Sequence, residues 1–401
     1  MKTLPKTFFV ICLAGTLLTL PVAAADVPVV VRVLLANWKA QMQVEPTYES
    51  IDDDGSGNIT VNKLRLEKSP GGPPGLTLTI DEIRLEGVSG GDNGLYEIGH
   101  ATFTGTKASI DNPAGTSISF SMPAGSAEGW YVKDAGENPV PEEALRASMT
   151  LARKLSSGPI TIEANGQSVT ADGYESTWDG DPVTGSGTTI FKLSKVVIPE
   201  AAMALADPTG SLKQLGYSGL TFDIEGDGKM DIAGGKMGMA FNVAYVGKDM
   251  GSLKFSGGAG DIPLAIFGEL QKAQAAGKEP DFTALMPELQ NVSFSGFTFR
   301  FEDNSITKKV LPIAAAMQGM NEAAMVANAG AMLQIGLMQL NNQAFTEQVV
   351  GAVNSFLKDP RSITVEVKPA APIKVQEIMT LNPAAPGEAI TKLGVSVTAN
   401  D

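Results

Sequence analysis

VLPIAAAMQGMNEAAMVANAGAMLQIGLMQLNNQAFTEQVVGAVNSFL, residues 310–357, is the stretch on which the reading of this chain turns. Between Lys309 and Glu347 it carries one charged residue, Glu322, and it holds five of the chain's sixteen methionines: Met317, Met320, Met325, Met332 and Met338. Ala, Met, Leu and Gln are good helix formers. Pro312 sits where a first helical turn tolerates proline. Asn341-Asn342 is the natural break, giving two helices or one kinked helix. A helix this poor in charge has no ordinary solvated face, so most of its circumference is expected to be covered. Met320, Met325, Met332, Leu333, Leu337 and Leu340 are the residues expected under that cover. Phe222, Phe297, Phe299 and Phe301, on strands elsewhere in the chain, are expected to supply it. The same residues, Met320, Met325, Met332, Leu337, Phe222 and Phe299 in particular, would line a groove for a hydrophobic ligand if the stretch is a binding surface and not only core. Methionine serves both purposes, filling irregular gaps and binding adaptable apolar partners.

Outward from this stretch the period changes to two. Residues 48–51, 59–66, 76–80, 83–88, 96–103, 117–122, 160–164, 168–171 and 189–193 alternate as strands with one wet face. A bulge near Lys63 is needed to keep Ile59, Val61, Leu64 and Leu66 on one side. Helices are expected at 29–42, where Val30, Val33, Leu34 and Trp38 share a stripe, and from Pro141 to about Leu155, opened by proline and two acids. An alanine-rich helix at 198–207 marks a soft boundary. Beyond it Tyr217-Ser218-Gly219-Leu220-Thr221-Phe222-Asp223-Ile224-Glu225 matches Phe294-Ser295-Gly296-Phe297-Thr298-Phe299-Arg300-Phe301-Glu302 at five of nine positions. Strands at 237–246, 253–256, 362–367 and 393–397 and a helix at 263–275 complete the reading. The fold class is therefore α+β: a large curved antiparallel sheet built from hairpins and packed against a C-terminal Met/Ala-rich helical segment. The expected organisation is a signal peptide at 1–25, an N-terminal β-rich module at 26–197 and a C-terminal β-hairpin plus helical module at 198–401.

The leader has the parts of a secretory signal: Lys2 and Lys6, an apolar run from Phe8 to Leu20, and Ala23-Ala24-Ala25 before the cut. A run of thirteen residues is too short to span a bilayer, which needs about 20. In the C-terminal stretch Asn328, Gln334 and Gln339 interrupt the apolar residues, so no transmembrane span is expected after cleavage. The only cysteine, Cys12, lies in the leader, so the mature chain has no disulfide and holds together by core burial. The expected address is periplasmic or secreted. With 30 basic and 44 acidic side chains the net charge is −14. Such an acidic surface argues against nucleic acid as a partner.

The sharpest motif is Asp52-Asp53-Asp54-Gly55-Ser56-Gly57-Asn58-Ile59-Thr60. Asp52, Asp54, Ser56 and Asn58 match the spacing of calcium-loop ligands, and Gly57 the sharp turn. The twelfth position, normally a bidentate glutamate, is Lys63, and the flanks read as strands. A hairpin turn accounts for the same residues. The lone histidine, His100, lies in a strand with no serine elbow near it in sequence. There is no glycine-rich phosphate loop, so the chain is expected to be neither an enzyme nor a cofactor carrier. The short strand pairs with glycine-acid turns behind a signal peptide resemble the β-rich repeats of AsmA-like envelope proteins. The closing segment, ending Val397-Thr398-Ala399-Asn400, resembles uncharacterised periplasmic proteins of Gram-negative bacteria. The resemblance implies a non-catalytic envelope protein that handles or shields lipid. Its partners would be a lipid or other hydrophobic ligand and an envelope protein. The alternative is a calcium-binding exported module that uses the 52–60 loop.

Overall fold

The computed structural model describes residues 27–42, 44–67, 76–111, 117–136, 139–275 and 278–401. The leader and the Pro/Gly turn at 69–75 lie outside the described residues. The chain divides into two compact units, one running up to Gly187 with Leu264–Ala284, the other Thr188–Pro263 with Leu285–Asp401. The described residues form antiparallel β-structure for the most part, eighteen strands in all, with a C-terminal helical segment.

In the first unit three long strands, Leu76–Gly90, Leu95–Asp111 and Ser117–Lys133, form a meander. Strand Ile59–Leu66 pairs with its leading edge, and Leu151–Ser157 and Ile160–Ala164 share its trailing strand. The first strand changes phase at Lys63. Ile59, Val61, Leu64 and Leu66 are all buried, although alternation alone would turn Leu64 outward. Lys63 takes a left-handed backbone, φ 50°, and is skipped in the register between Asn62↔Glu82 and Leu64↔Ile80. Asp81 is skipped opposite it, one residue on each strand, so the register is unchanged and the apolar phase shifts through a kink shared by both strands, not through the expected extra residue. Helix Val29–Met42 covers this face, and Val30, Val31, Val33, Leu34 and Met42 pack into one core with Leu66, Ile83, Leu85, Ile98, Ala101 and Trp130. Each such aliphatic side chain contributes about 1.5–3 kcal/mol of burial.

The helix opened by Pro141 is shorter than its sequence suggests. It ends at Ser148, Met149 turns extended, and Leu151–Ser157 is a strand. Leu145, Met149 and Ala152 fit a helical stripe, but Leu151↔Tyr131 and Ala152↔Trp130 pairing buries Leu151 and Ala152 in the sheet. Tertiary pairing outweighs helix propensity here.

In the second unit strands Gly219–Ala233, Lys236–Gly247, Gly251–Pro263, Ser293–Asp303, Ser362–Val367 and Val395–Ala399 pair in succession. The register Ile224↔Tyr245↔Leu253↔Phe301↔Ile363↔Ala399 puts apolar residues of the two repeated segments on one face. The row three residues along, Asp227↔Asn242↔Ser256↔Thr298↔Glu366↔Ser396, lies on the other and is polar throughout.

The decisive stretch forms three helices where two were expected: Ile306–Met317, Glu322–Leu337 and Gln343–Lys358. Because the first begins at Ile306, Pro312 falls inside it and not in its first turn. Gly319 supplies a left-handed stop, φ 68°, and the Asn321 side chain caps the next helix by accepting from the Ala324 N–H. The expected break at Asn341-Asn342 is present: Asn341 is left-handed and the Asn342 side chain accepts from the Phe345 N–H.

Candidate functional site

Helix Gln343–Lys358 is amphipathic, and its buried residues Val349, Ala352 and Phe356 face the sheet. Val349 and Ala352 share a core with Val397, flanked by Ile363 and Val365, and the Phe356 ring stands 6.0 Å edge-on from that of Phe301. Helix Glu322–Leu337 packs in turn on helix Gln343–Lys358, through Leu333 and Leu337. Gly330 makes this close approach feasible: a Cβ there would lie 2.6 Å from the Asn354 Oδ1.

The outer side of this hairpin departs from expectation. Gly330 is the only buried residue of helix Glu322–Leu337. Met320, Met325, Leu333, Leu337 and Leu340 are half-buried, while Met332, Ile335 and Met338 stand 67, 68 and 67 % exposed. Met317 is 82 % exposed. The expected cover of Met332 is therefore absent among the described residues. Phe222 and Phe299 do not supply one: the Phe299 ring lies tilted against that of Phe255, centroids 5.3 Å apart, and Phe222 faces Gly247 across the register. Of the four phenylalanines, Phe301 alone has a ring contact to the helices, through Phe356. Composition could show that the helix lacks charge, but not which neighbour would shield it. Among the described residues the helical span Glu322–Leu340 is long and apolar enough to cross a membrane by length and composition, contrary to the sequence reading.

A cleft of about 560 Å³ opens among the three helices. Its walls are Leu311 of the first, Ala323, Val326, Ala327, Gly330 and Ala331 of the second, and Val350, Asn354 and Leu357 of the third. The sequence reading singled out none of these; the spacing Ala323, Ala327, Gly330, Ala331 was the signal for it, a groove of small residues along one helix face.

The 52–60 loop is a hairpin between strands Ser50–Asp53 and Ile59–Leu66. Its carboxylates bond within the turn. Asp54 Oδ1 accepts from the Ser56 and Asn58 N–H groups and Oδ2 from the Asn58 amide, 2.7 Å away. The Asn58 side-chain bond, with that of the Ser56 N–H, holds the Asp54 carboxyl below its ordinary value. Asp52 instead accepts from Ser50 and Asn62, and Lys63 pairs with Glu49. Among the described residues no group of three or more His, Cys, Asp or Glu side chains is placed to hold a metal ion. His100 lies in mid-strand, opposite Glu86 and Glu128.

The polar side of the second unit carries a charge ladder that the sequence does not reveal. Lys254 Nζ lies 2.7 Å from Glu302 Oε2, Arg300 Nε donates to Glu302 Oε1 at 2.9 Å, and Arg300 Nη1 donates to Asp401 Oδ1 at 2.6 Å. The Lys254 and Arg300 bonds pull Glu302 down to about 2; the Thr398 hydroxyl and Arg300 do the same for Asp401, also to about 2. Both folded values are depressed, so their stabilisation is complete above the ordinary carboxylate pKa and is lost as pH falls toward 2. Both carboxylates are more than a third exposed, so screening limits each to about 1 kcal/mol or less. Arg300→Gln is expected to flatten the fall in melting temperature from pH 4.5 to pH 2, because neither carboxylate then gains that partner. Calorimetry across that range checks it, and parallel acid limbs for the two proteins would refute it.

Two comparisons bear on identity. A protein-family model described as "Uncharacterized protein" matches residues 244–400. That region takes in the three helices and the strands they rest on. No curated protein matches the chain.

Proposed function

We propose that this is a non-catalytic, exported envelope protein that handles a hydrophobic ligand, with lipid the leading class. The observation that carries the reading is the helix Glu322–Leu337, uncharged beyond its first residue, whose Met332 and Ile335 face solvent together with the adjacent Met338. Soluble monomers rarely leave contiguous apolar patches beyond a few hundred Å² unless something binds there. A second support comes from the apolar side of the sheet, where Tyr245, Leu253 and Phe297 are also exposed. An enzyme would need a nucleophile beside a base, or a converging set of shifted acids; the shifted carboxylates Glu302 and Asp401 are instead tied into ion pairs on the opposite, polar face. The AsmA-like resemblance agrees with a lipid, and export through the leader would bring the protein to the compartment where envelope lipids are handled.

The test is mass spectrometry of lipids that remain with protein purified from the envelope under native conditions. A stoichiometric lipid lost from Ile335→Glu but kept by Val183→Glu, a change at an exposed site of the first unit, is the expected result. Protein that carries no lipid, and takes none up after mixing with envelope extracts, would refute the reading.

A further inference from the structure

We infer that the cleft among the three C-terminal helices is a site for a single-chain zwitterionic amphiphile, its alkyl chain along the small-residue wall and its headgroup between Glu322 and Lys358. This rests on the hydrophobic-ligand reading and adds to it a location and a headgroup. The cleft runs along the pair formed by helices Glu322–Leu337 and Gln343–Lys358. The short connection at 338–342 turns the chain back, and Gly330 meets Asn354. The two helices therefore run antiparallel, with Gln334 near Val350 at one end of the cleft and Glu322 near Lys358 at the other.

Between those ends the second-helix wall consists of Ala323, Val326, Ala327, Gly330 and Ala331, with Leu311, Leu357 and the amide of Asn354 opposite. Apart from Asn354 these are aliphatic or small, and suited to an alkyl chain. Lys358 and Glu322 both line the charged end, and among the described residues neither has an ion-pair partner. A lone lysine would suit any anion, and a lone glutamate would repel one. The two together complement a phosphate and an ammonium carried on the same headgroup.

The volume of the cleft, about 560 Å³, suits one chain. Volumes of about 300–1,000 Å³ are usual for ligand sites. At roughly 30 Å³ for a group the size of a water molecule, the cleft takes on the order of 18 non-hydrogen groups. One alkyl chain with part of a small headgroup fits; a two-chain phospholipid would leave most of its second chain outside.

The experiment titrates the delipidated full chain with lysophosphatidylethanolamine below its micelle concentration, beside lysophosphatidylglycerol as the anionic counterpart. Ala327→Trp places an indole in the cleft from an exposed wall position, and is expected to weaken binding about tenfold or more by occupying the space. Ala331→Trp repeats the test should the first variant fold poorly by circular dichroism. Lys358→Glu is expected to weaken the zwitterion about two- to fivefold, the range for a solvent-accessible ion pair. Binding of the wild type with both losses supports the assignment. Wild-type binding that neither tryptophan changes overturns the cleft while leaving the hydrophobic-ligand reading intact. Equal affinity for the two headgroups, with no effect of Lys358→Glu, overturns the headgroup. A protein that keeps co-purified lipid yet does not take up the single-chain probe overturns the inference alone.

Discussion

Leu85→Ala is expected to lower the stability of the first unit by about 3–4 kcal/mol, among the larger losses a single truncation can cause. Leu85 is fully buried, 0 % exposed, between Ile59 and Ala101 in the register and in the core capped by helix Val29–Met42. Truncation removes three carbons from water-free contact and leaves a cavity lined from several strands and a helix, which cannot close without moving the pairing register. Val183→Ala, at an exposed loop position of the same unit, is expected to change stability by less than about 0.5 kcal/mol. Urea unfolding of both variants, followed by tryptophan fluorescence, measures the difference. A Leu85→Ala midpoint within error of wild type would mean that this core is not packed as described.

Phe356→Ala is expected to cost the second unit about 3 kcal/mol. The ring is 8 % exposed and is the aromatic link between helix Gln343–Lys358 and the sheet, edge-on to Phe301. Because helix Glu322–Leu337 reaches the sheet through that helix, loosening Phe356 should loosen both. Amide exchange should therefore quicken across residues 322–358 in this variant, well beyond the site of the change. Met332→Ala, on the exposed side of the same hairpin, should leave both stability and exchange nearly unchanged. If Met332→Ala proved as damaging as Phe356→Ala, the outer face would be packed against something, and the exposed surface described above would not exist in solution.

These expectations mark where sequence reasoning succeeds. The hairpin meander, helix Val29–Met42 and the change of phase at Lys63 are legible because each is written in local periodicity, and a one-residue slip exposes a whole apolar row; that both strands would kink together at Lys63, with no extra residue, is not. The face shared by Phe222, Ile224, Phe299 and Phe301 is legible for the same reason. What local pattern could not supply was partnership. Residues 151–155 look helical until Trp130 and Tyr131 are brought beside them. Arg300 and Asp401 lie 101 positions apart, so nothing local joins them. The stretch 310–357 announced its lack of charge plainly, but the inference from few charges to full cover failed at Met332, Ile335 and Met338. The Gly319 and Asn321 signals that split it into three helices were in plain view and are ordinary helix punctuation. The cleft was hidden because alanines and a glycine draw less attention than the methionines beside them.

The pairing order has a consequence for how the chain is made. In the first unit each long strand pairs with the next one to emerge, so its sheet can zip up hairpin by hairpin during synthesis. Strand Ser293–Asp303 is different: on one side it has Gly251–Pro263 ready, but its other partner, Ser362–Val367, follows only after the whole helical passage 304–361. At about 5–20 residues per second that leaves several seconds in which Phe297, Phe299 and Phe301 sit on a bare, apolar sheet edge. The same interval sees the charge-poor helices appear before strands Ser362–Val367 and Val395–Ala399, on which the last of them packs. Nascent chains stalled between residues 304 and 361 should thus be the species most prone to self-association and most in need of a holding chaperone.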